Sequence, residues 1–122
     1  MDNTEVVNNT SKYIVKTTGI GSETNQELVD AEKLAEGTDG SKVSLIECYY
    51  LIEGTGTLTI SAASETETQA AGKTVAKPLS LTGKGKYGLR PNQLKYGNDK
   101  IFKLATDSNV NSYLLVTEFR RK

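Results

Sequence analysis

Residues 42–61, KVSLIECYYLIEGTGTLTIS, constrain the fold most, because they begin with a β-strand that is apolar on both faces. Successive side chains of a strand point to opposite sides, so the odd positions from Val43 to Leu51 form one face and the even positions from Ser44 to Ile52 form the other. A strand of this kind normally lies inside a sheet, covered on each side by its own chain or by a partner. The even-numbered face is the stronger candidate for the core.

A glycine-rich turn, Glu53 to Gly56, follows this strand. After the turn, Leu58 and Ile60 alternate with threonine and serine, which is the pattern of a half-buried strand with a polar outer face. We therefore expect the two strands to form a central hairpin.

Further strands are predicted at Tyr13–Thr17, at Leu79–Thr82 as an edge strand entered through Pro78, at 100–105, and at Tyr113–Arg120. Residues 26–35 fit either a short helix or a strand with a looped continuation, and we favour the strand. Six to eight strands joined by polar turns predict an all-β fold, a single-domain antiparallel β-sandwich or jelly-roll-like domain over residues 13–122.

Two segments are predicted to lie outside this core. Residues 1–12 are polar apart from Val6 and Val7, so we expect an extended or flexible N-terminal arm, either a frayed terminus or a segment that docks on a neighbour. Residues 62–77 carry mainly Ser, Thr, Glu and Ala, which predicts a solvated surface loop excursion.

The composition limits the classes of function. Fifteen basic and fifteen acidic residues give a net charge of zero, so no field favours general binding to nucleic acid. No apolar run reaches the length of a membrane span, and the N-terminus lacks the features of a secretory signal. With a single cysteine, the chain is expected to assemble in a reducing cytoplasm.

No local pattern predicts catalysis, a cofactor or a metal. Residues 83–88 match G-x-G-x-x-G, but Pro91 follows closely, so a Gly-rich turn within an irregular stretch at 83–91 is expected instead of a dinucleotide site. Residues 107–111 resemble the start of a calcium loop that would end at Glu118, but an Asx turn is the simpler interpretation. Cys48 has no histidine to activate it and is predicted to be a core residue. We expect a protein that is not an enzyme.

Four segments resemble small virion structural proteins of tailed bacteriophages: VVNNTSKYIVKTTGIGSE, ECYYLIEGTGTLTIS, GKGKYGLRP and TDSNVNSYLLVTEFRRK. The resemblance implies a head decoration or cement protein, with a β-sandwich or jelly-roll fold, on the capsid surface of the virion. It implies the major capsid protein as partner and a homotrimer whose terminal arms tie neighbours together. It transfers no catalytic or ligand-binding residue to this chain.

The partner-binding residues predicted from this role fall on the arm, at the start of the first predicted strand, on the odd-numbered face of the first central strand and near the C-terminus: Val6, Val7, Asn8, Tyr13, Val43, Leu45, Tyr49, Leu51, Arg120 and Arg121. Two alternatives remain open at this point. One is a neck or tail component of the same virion. The other is a carbohydrate-binding or cupin-like β domain without metal, for which Tyr87 and Tyr96 would be the exposed aromatic candidates.

Overall fold

A computed structural model describes residues 1–68, 74–88 and 96–121. Ten strands and one short 3-10 helix, Ala31–Lys33, lie within these ranges. The strands are β1 (Asp2–Asn8), β2 (Lys12–Ile20), β3 (Glu23–Asp30), β4 (Val43–Gly54), β5 (Leu58–Thr68), β6 (Thr74–Leu81), β7 (Lys84–Gly88), β8 (Tyr96–Asp99), β9 (Ile101–Thr106) and β10 (Val110–Arg121).

The described strands form two antiparallel sheets. The large sheet has the order β1-β2-β10-β4-β7, and β8 pairs with β4 beside β7. The small sheet has the order β3-β9-β5-β6. The last strand, β10, therefore lies at the centre of the large sheet, between β2 and β4. The predicted all-β antiparallel fold is confirmed.

The core lies between the two sheets and contains side chains from both. Phe119 of β10 and Phe102 of β9 are fully buried, and their ring centroids lie 5.1 Å apart across the sandwich. Tyr113, Leu115 and Thr117 are buried with Phe119, so these four residues form the inward face of β10. Inward and outward residues alternate along β10 as a strand with one buried face requires.

A β-bulge in β4 exchanges its two faces. In the pairing with β10, Glu118 lies opposite Glu47 and the next residue, Phe119, lies opposite Leu45, so Ile46 is the extra residue. Leu45 and Cys48 are both fully buried although they are three residues apart. The prediction of one continuous odd-numbered face is therefore wrong: its first half points into the core and its second half points outward.

The predicted hairpin of β4 and β5 is also wrong, because the two strands belong to different sheets. The turn between them is bound instead to the turn between β9 and β10. The Gly56 N–H donates to the Asn109 carbonyl at 3.2 Å, and the Thr57 N–H donates to Asp107 Oδ2 at 3.0 Å. Two adjacent connections thus cross between the sheets at one end of the sandwich and are hydrogen-bonded to each other.

Other segments also differ from the predictions. Residues 2–8, predicted as an extended or flexible arm, form the edge strand β1 on their own chain. Within the predicted loop excursion at 62–77, the described residues 62–68 and 74–77 continue β5 and β6, and 69–73 lie outside the described residues. Residues 84–88 form a strand rather than an irregular turn. The prediction of a strand within 26–35 is confirmed by β3.

Candidate interaction surface

The large sheet carries an apolar patch on the face that points away from the core. Its members come from the three central strands β2, β10 and β4, and they are Ile14, Ile20, Tyr49, Leu51, Leu114 and Val116. The exposed fractions are 80% for Ile20, 47% for Tyr49 and 42% for Leu51, and the other three are half-buried. We call these six residues the outer patch. The solvated face of an antiparallel sheet is normally polar, so the outer patch is the candidate interaction surface among the described residues.

Strand register makes the centre of the outer patch continuous. Leu114 lies opposite Leu51 on β4, and Val116 lies opposite Tyr49. Directly opposed residues on one face have their Cβ atoms about 5 Å apart, which is within contact distance for side chains of this size. An open groove of about 530 Å³ lies at one end of the patch, lined by residues that include Ile20, Leu51 and Leu114.

Charged side chains border the outer patch on the β7 side. The Lys86 ammonium lies 3.6 Å from Glu47 and 5.2 Å from the centre of the Tyr49 ring. Hydrogen bonding to Tyr49 and the charge of Glu47 raise the pKa of Lys86 above its usual value. Lys86 is therefore a cation at neutral pH at this border, beside the Tyr49 ring.

Three of the predicted partner-binding residues lie inside the sandwich. Val43 and Leu45 are fully buried, and Tyr13 is 6% exposed with its ring centroid 6.4 Å from that of Phe119. Burial and the nearby charge of Glu5 raise the pKa of Tyr13. These three side chains contribute to the core, so the predicted face that joined Val43 and Leu45 to Tyr49 and Leu51 does not exist.

Two more of the predicted residues, Asn8 and Arg121, form hydrogen bonds within their own chain. The Asn8 side chain accepts a hydrogen bond from the Ala35 N–H at 3.0 Å. The Arg121 guanidinium donates to the carbonyls of Asn9, at 2.7 Å, and Ala35. These bonds tie the β1–β2 hairpin, the loop after the 3-10 helix and the end of β10 together.

The remaining predicted residues are accessible. Val6 is 59% exposed, Arg120 is exposed and Val7 is half-buried, while Tyr49 and Leu51 belong to the outer patch. Sequence reasoning missed Ile14, Ile20, Leu114 and Val116 as surface residues. The signal for them was present, because β2 and β10 each have apolar residues on both faces, as β4 does.

The residues weighed for metal binding and catalysis have structural roles. Asp107 accepts hydrogen bonds from the Asn109 N–H at 2.9 Å and from Thr57, so the predicted Asx turn is confirmed. Glu118 lies eight residues along β10 from Val110, or about 27 Å at the rise of a strand, and cannot share an ion with Asp107. Cys48 is fully buried, as predicted. Among the described residues, no cluster of three His, Cys, Asp or Glu side chains is placed to hold a metal.

No helix in the described part of the chain has the length and apolar character needed to cross a membrane.

Comparison with known proteins adds little to this description. No protein-family model matches the chain, and no curated protein matches it. Among solved structures, a cupin domain from Bordetella pertussis Tohama I aligns over 99% of this chain and 92% of its own, with 12% sequence identity and a TM-score of 0.41. A likeness of this size supports no conclusion about function. The chain is an antiparallel β-sandwich that exposes an apolar patch on its large sheet.

Proposed function

We propose that this chain is a non-enzymatic structural protein of a tailed-phage virion, a decoration protein that binds the outer surface of the head and stabilises the lattice of the major capsid protein. The observation that carries the proposal is the outer patch, an apolar surface on the solvent side of a well-packed sheet. The phage assignment itself rests on the resemblance of the four sequence segments.

The architecture suits a protein that acts by binding. The outer patch lies on β2, β10 and β4, which pair along most of their lengths and whose opposite face is the core. A surface on such strands is preorganised, so little conformational entropy is lost when a partner covers it. Its partners in this proposal are the major capsid protein and further copies of the same chain.

The first test is the number of copies in purified particles, measured by quantitative mass spectrometry against the major capsid protein. Hundreds of copies in a simple ratio to the capsid subunit support decoration of the head. A few to a few dozen copies would instead place the protein in the neck or tail. Absence from the particle would overturn the virion role.

A second test uses expanded capsids that lack the protein. We expect the double variant Tyr49→Ser/Leu51→Ser to lose most of its capsid binding, because it removes two exposed members of the outer patch. The control is Lys103→Ser, an exposed position on the outer face of the small sheet. Equal binding by the double variant and the control would show that the outer patch is not used on the capsid, directly or through self-association.

Glycan binding is the alternative that one observation favours, since Tyr49 is an exposed aromatic on a sheet face. Lys86 lies over its ring, however, which leaves less of the ring available for stacking on a sugar. Tyr87 and Tyr96 belong to β7 and β8, and their side chains lie outside the described part of the structure. Binding on a glycan array that Tyr49→Ser abolishes would favour this alternative over decoration.

A further inference from the structure

The outer face of the large sheet changes in charge from one edge to the other. Strand register places five residues in one row across the sheet, from β1 through β2, β10 and β4 to β7: Asp2, Thr18, Leu114, Leu51 and Lys84. The row begins with an exposed carboxylate, has two apolar side chains in its central part and ends with an exposed ammonium. Within the described residues, neither Asp2 nor Lys84 has an ion-pair partner among the salt bridges of the structure.

This order is complementary to itself. Turning a second copy by 180° about an axis parallel to β10 brings β10 onto β10, β2 onto β4 and β1 onto β7. Leu114 then meets Leu114 of the second copy, and Asp2 meets Lys84 of the second copy, twice in each dimer. We propose that the outer face of the large sheet is covered by the same face of a second copy, around a two-fold axis that runs along β10. Leu114 and Val116 then meet their own copies at the centre, and Leu51 lies opposite Thr18 of the second copy.

The next row fits the same axis. It contains Thr4, Lys16, Val116, Tyr49 and Lys86, again in the order β1 to β7. Val116 meets its own copy on the axis, Lys16 lies opposite Tyr49 of the second copy, and Thr4 lies opposite Lys86 of the second copy, so the row has no charge conflict. Both central positions of β10 on the axis are thus apolar, which is the arrangement that desolvates the middle of an interface and leaves charges at the rim.

Two positions on the axis are unfavourable, because Glu118 and Arg120 both lie on the outer face of β10 and each comes towards the same residue of the second copy. Glu118 follows Val116 on the same face, between Ile14 on β2 and Glu47 on β4. The axis brings Glu118 towards Glu118 of the second copy, and two carboxylates at close range repel each other. Replacing Glu118 with a neutral residue should therefore strengthen the dimer. Docking of Glu118 on a different partner would not predict this effect.

The size of the face sets the expected affinity. Four strand spacings of about 4.8 Å and six residue steps of about 3.4 Å give a flat area of about 400 Å² for each copy. The pair buries about 800 Å² in total, which is below the roughly 1,200 Å² of stable interfaces and in the range of weak, transient association. We expect a dissociation constant on the order of 10 µM.

This inference rests on the proposed function only in treating the outer patch as an interaction surface. Its test is sedimentation velocity of the purified full chain, without phage, at concentrations from about 1 to about 200 µM. Dimers in that range are the expected result. A monomer at every concentration, or a trimer as the sequence resemblance implies, would overturn the two-fold contact.

Charge exchange tests the geometry. Asp2→Lys alone places two lysines together, and Lys84→Asp alone places two aspartates together, so we expect each single change to raise the dissociation constant about fivefold. The double variant restores opposite charges and should return to within about twofold of the parent. Asp2 and Lys84 of one copy lie about 19 Å apart, at opposite edges of the sheet, so the rescue can only arise between copies. Additive losses in the double variant would contradict the proposed axis.

Glu118→Gln completes the experiment and should lower the dissociation constant about threefold. A rise would contradict the position of the axis. Thermal unfolding of each variant shows that the fold is retained, since Asp2 and Lys84 are exposed and Glu118 lies on the outer face. If the protein dimerises but is absent from virions, the proposed function is refuted and this inference stands. If the protein decorates capsids but is a monomer in solution, this inference is refuted and the proposed function stands.

Discussion

The bulge at Ile46 leads to a prediction about two leucines on the same strand. Leu45 and Leu51 are six residues apart, so in a regular strand both would point to the same side and Leu→Ala would have similar effects at both positions. In the structure, Leu45 is fully buried, whereas Leu51 is 42% exposed on the outer patch. The two substitutions remove the same atoms from opposite faces of β4.

The magnitudes follow from burial. Leu45→Ala removes a fully buried side chain and leaves a cavity, which destabilises a core by about 3 kcal/mol. Leu51→Ala loses only the buried part of its apolar surface and leaves no enclosed cavity, so we expect about 1 kcal/mol. For a domain of this size the difference of about 2 kcal/mol corresponds to about 7 °C in Tm.

The assay is urea denaturation followed by far-ultraviolet circular dichroism, at a protein concentration below that of self-association. The slope of the unfolding free energy against urea should be the same for both variants, so that the shift in midpoint reports stability alone. Equal destabilisation by Leu45→Ala and Leu51→Ala would refute the bulge and indicate that both side chains point to the same face of β4.

Three other predictions concern single positions. Gly56→Ala should lower Tm by about 8 °C, because the new Cβ would lie 2.6 Å from the Val110 nitrogen. The control is Gly21→Ala, at a left-handed position with open space around it, which should lower Tm by about half as much. Equal losses of Tm would contradict the steric reason. Tyr113→Phe should be neutral or stabilising at pH 7, because the hydroxyl is buried without a partner among the described residues. Burial and the charges of Glu23 and Asp2 raise the pKa of Tyr113 to about 12, so the free energy of unfolding should fall as the pH rises from about 10 to about 12. Tyr113→Phe should reduce that fall, by about 2 kcal/mol at most. An unchanged pH profile would refute the raised pKa of Tyr113. Arg121→Ala should cost about 1 kcal/mol and increase amide hydrogen exchange at the β1–β2 hairpin relative to Lys103→Ala, since two carbonyls lose their donor.

The alternation of residue types predicted most of the strands. The alternation in β10 predicted a strand, and the structure shows that Tyr113, Leu115 and Phe119 point inward while Leu114 and Val116 lie on the other face. Residues 13–17, which lie in β2, were predicted from their β-branched and aromatic content instead. The all-β class followed from these strands together with the polar turns between them.

Pairing and the exact faces of β4 were not predictable from local pattern. A glycine-rich turn between two strands normally indicates a hairpin, but here Asp107 of a distant turn binds Thr57 and directs β5 into the other sheet. The bulge at Ile46 was hidden because both faces of β4 are apolar, so a shift of one residue left no polar residue in the wrong place. The surface residues of β2 and β10 were overlooked because a second apolar face was considered only for β4.

The central position of β10 has a consequence for synthesis of the protein. Of the two strands that β10 joins, β2 begins at Lys12 and β4 at Val43, and both are made well before Val110 leaves the ribosome. Until then, each exposes the strand edge that pairs with β10 in the folded protein. The nascent chain therefore passes through a stage in which non-native strand pairing competes with folding, and the sheet closes only when β10 inserts.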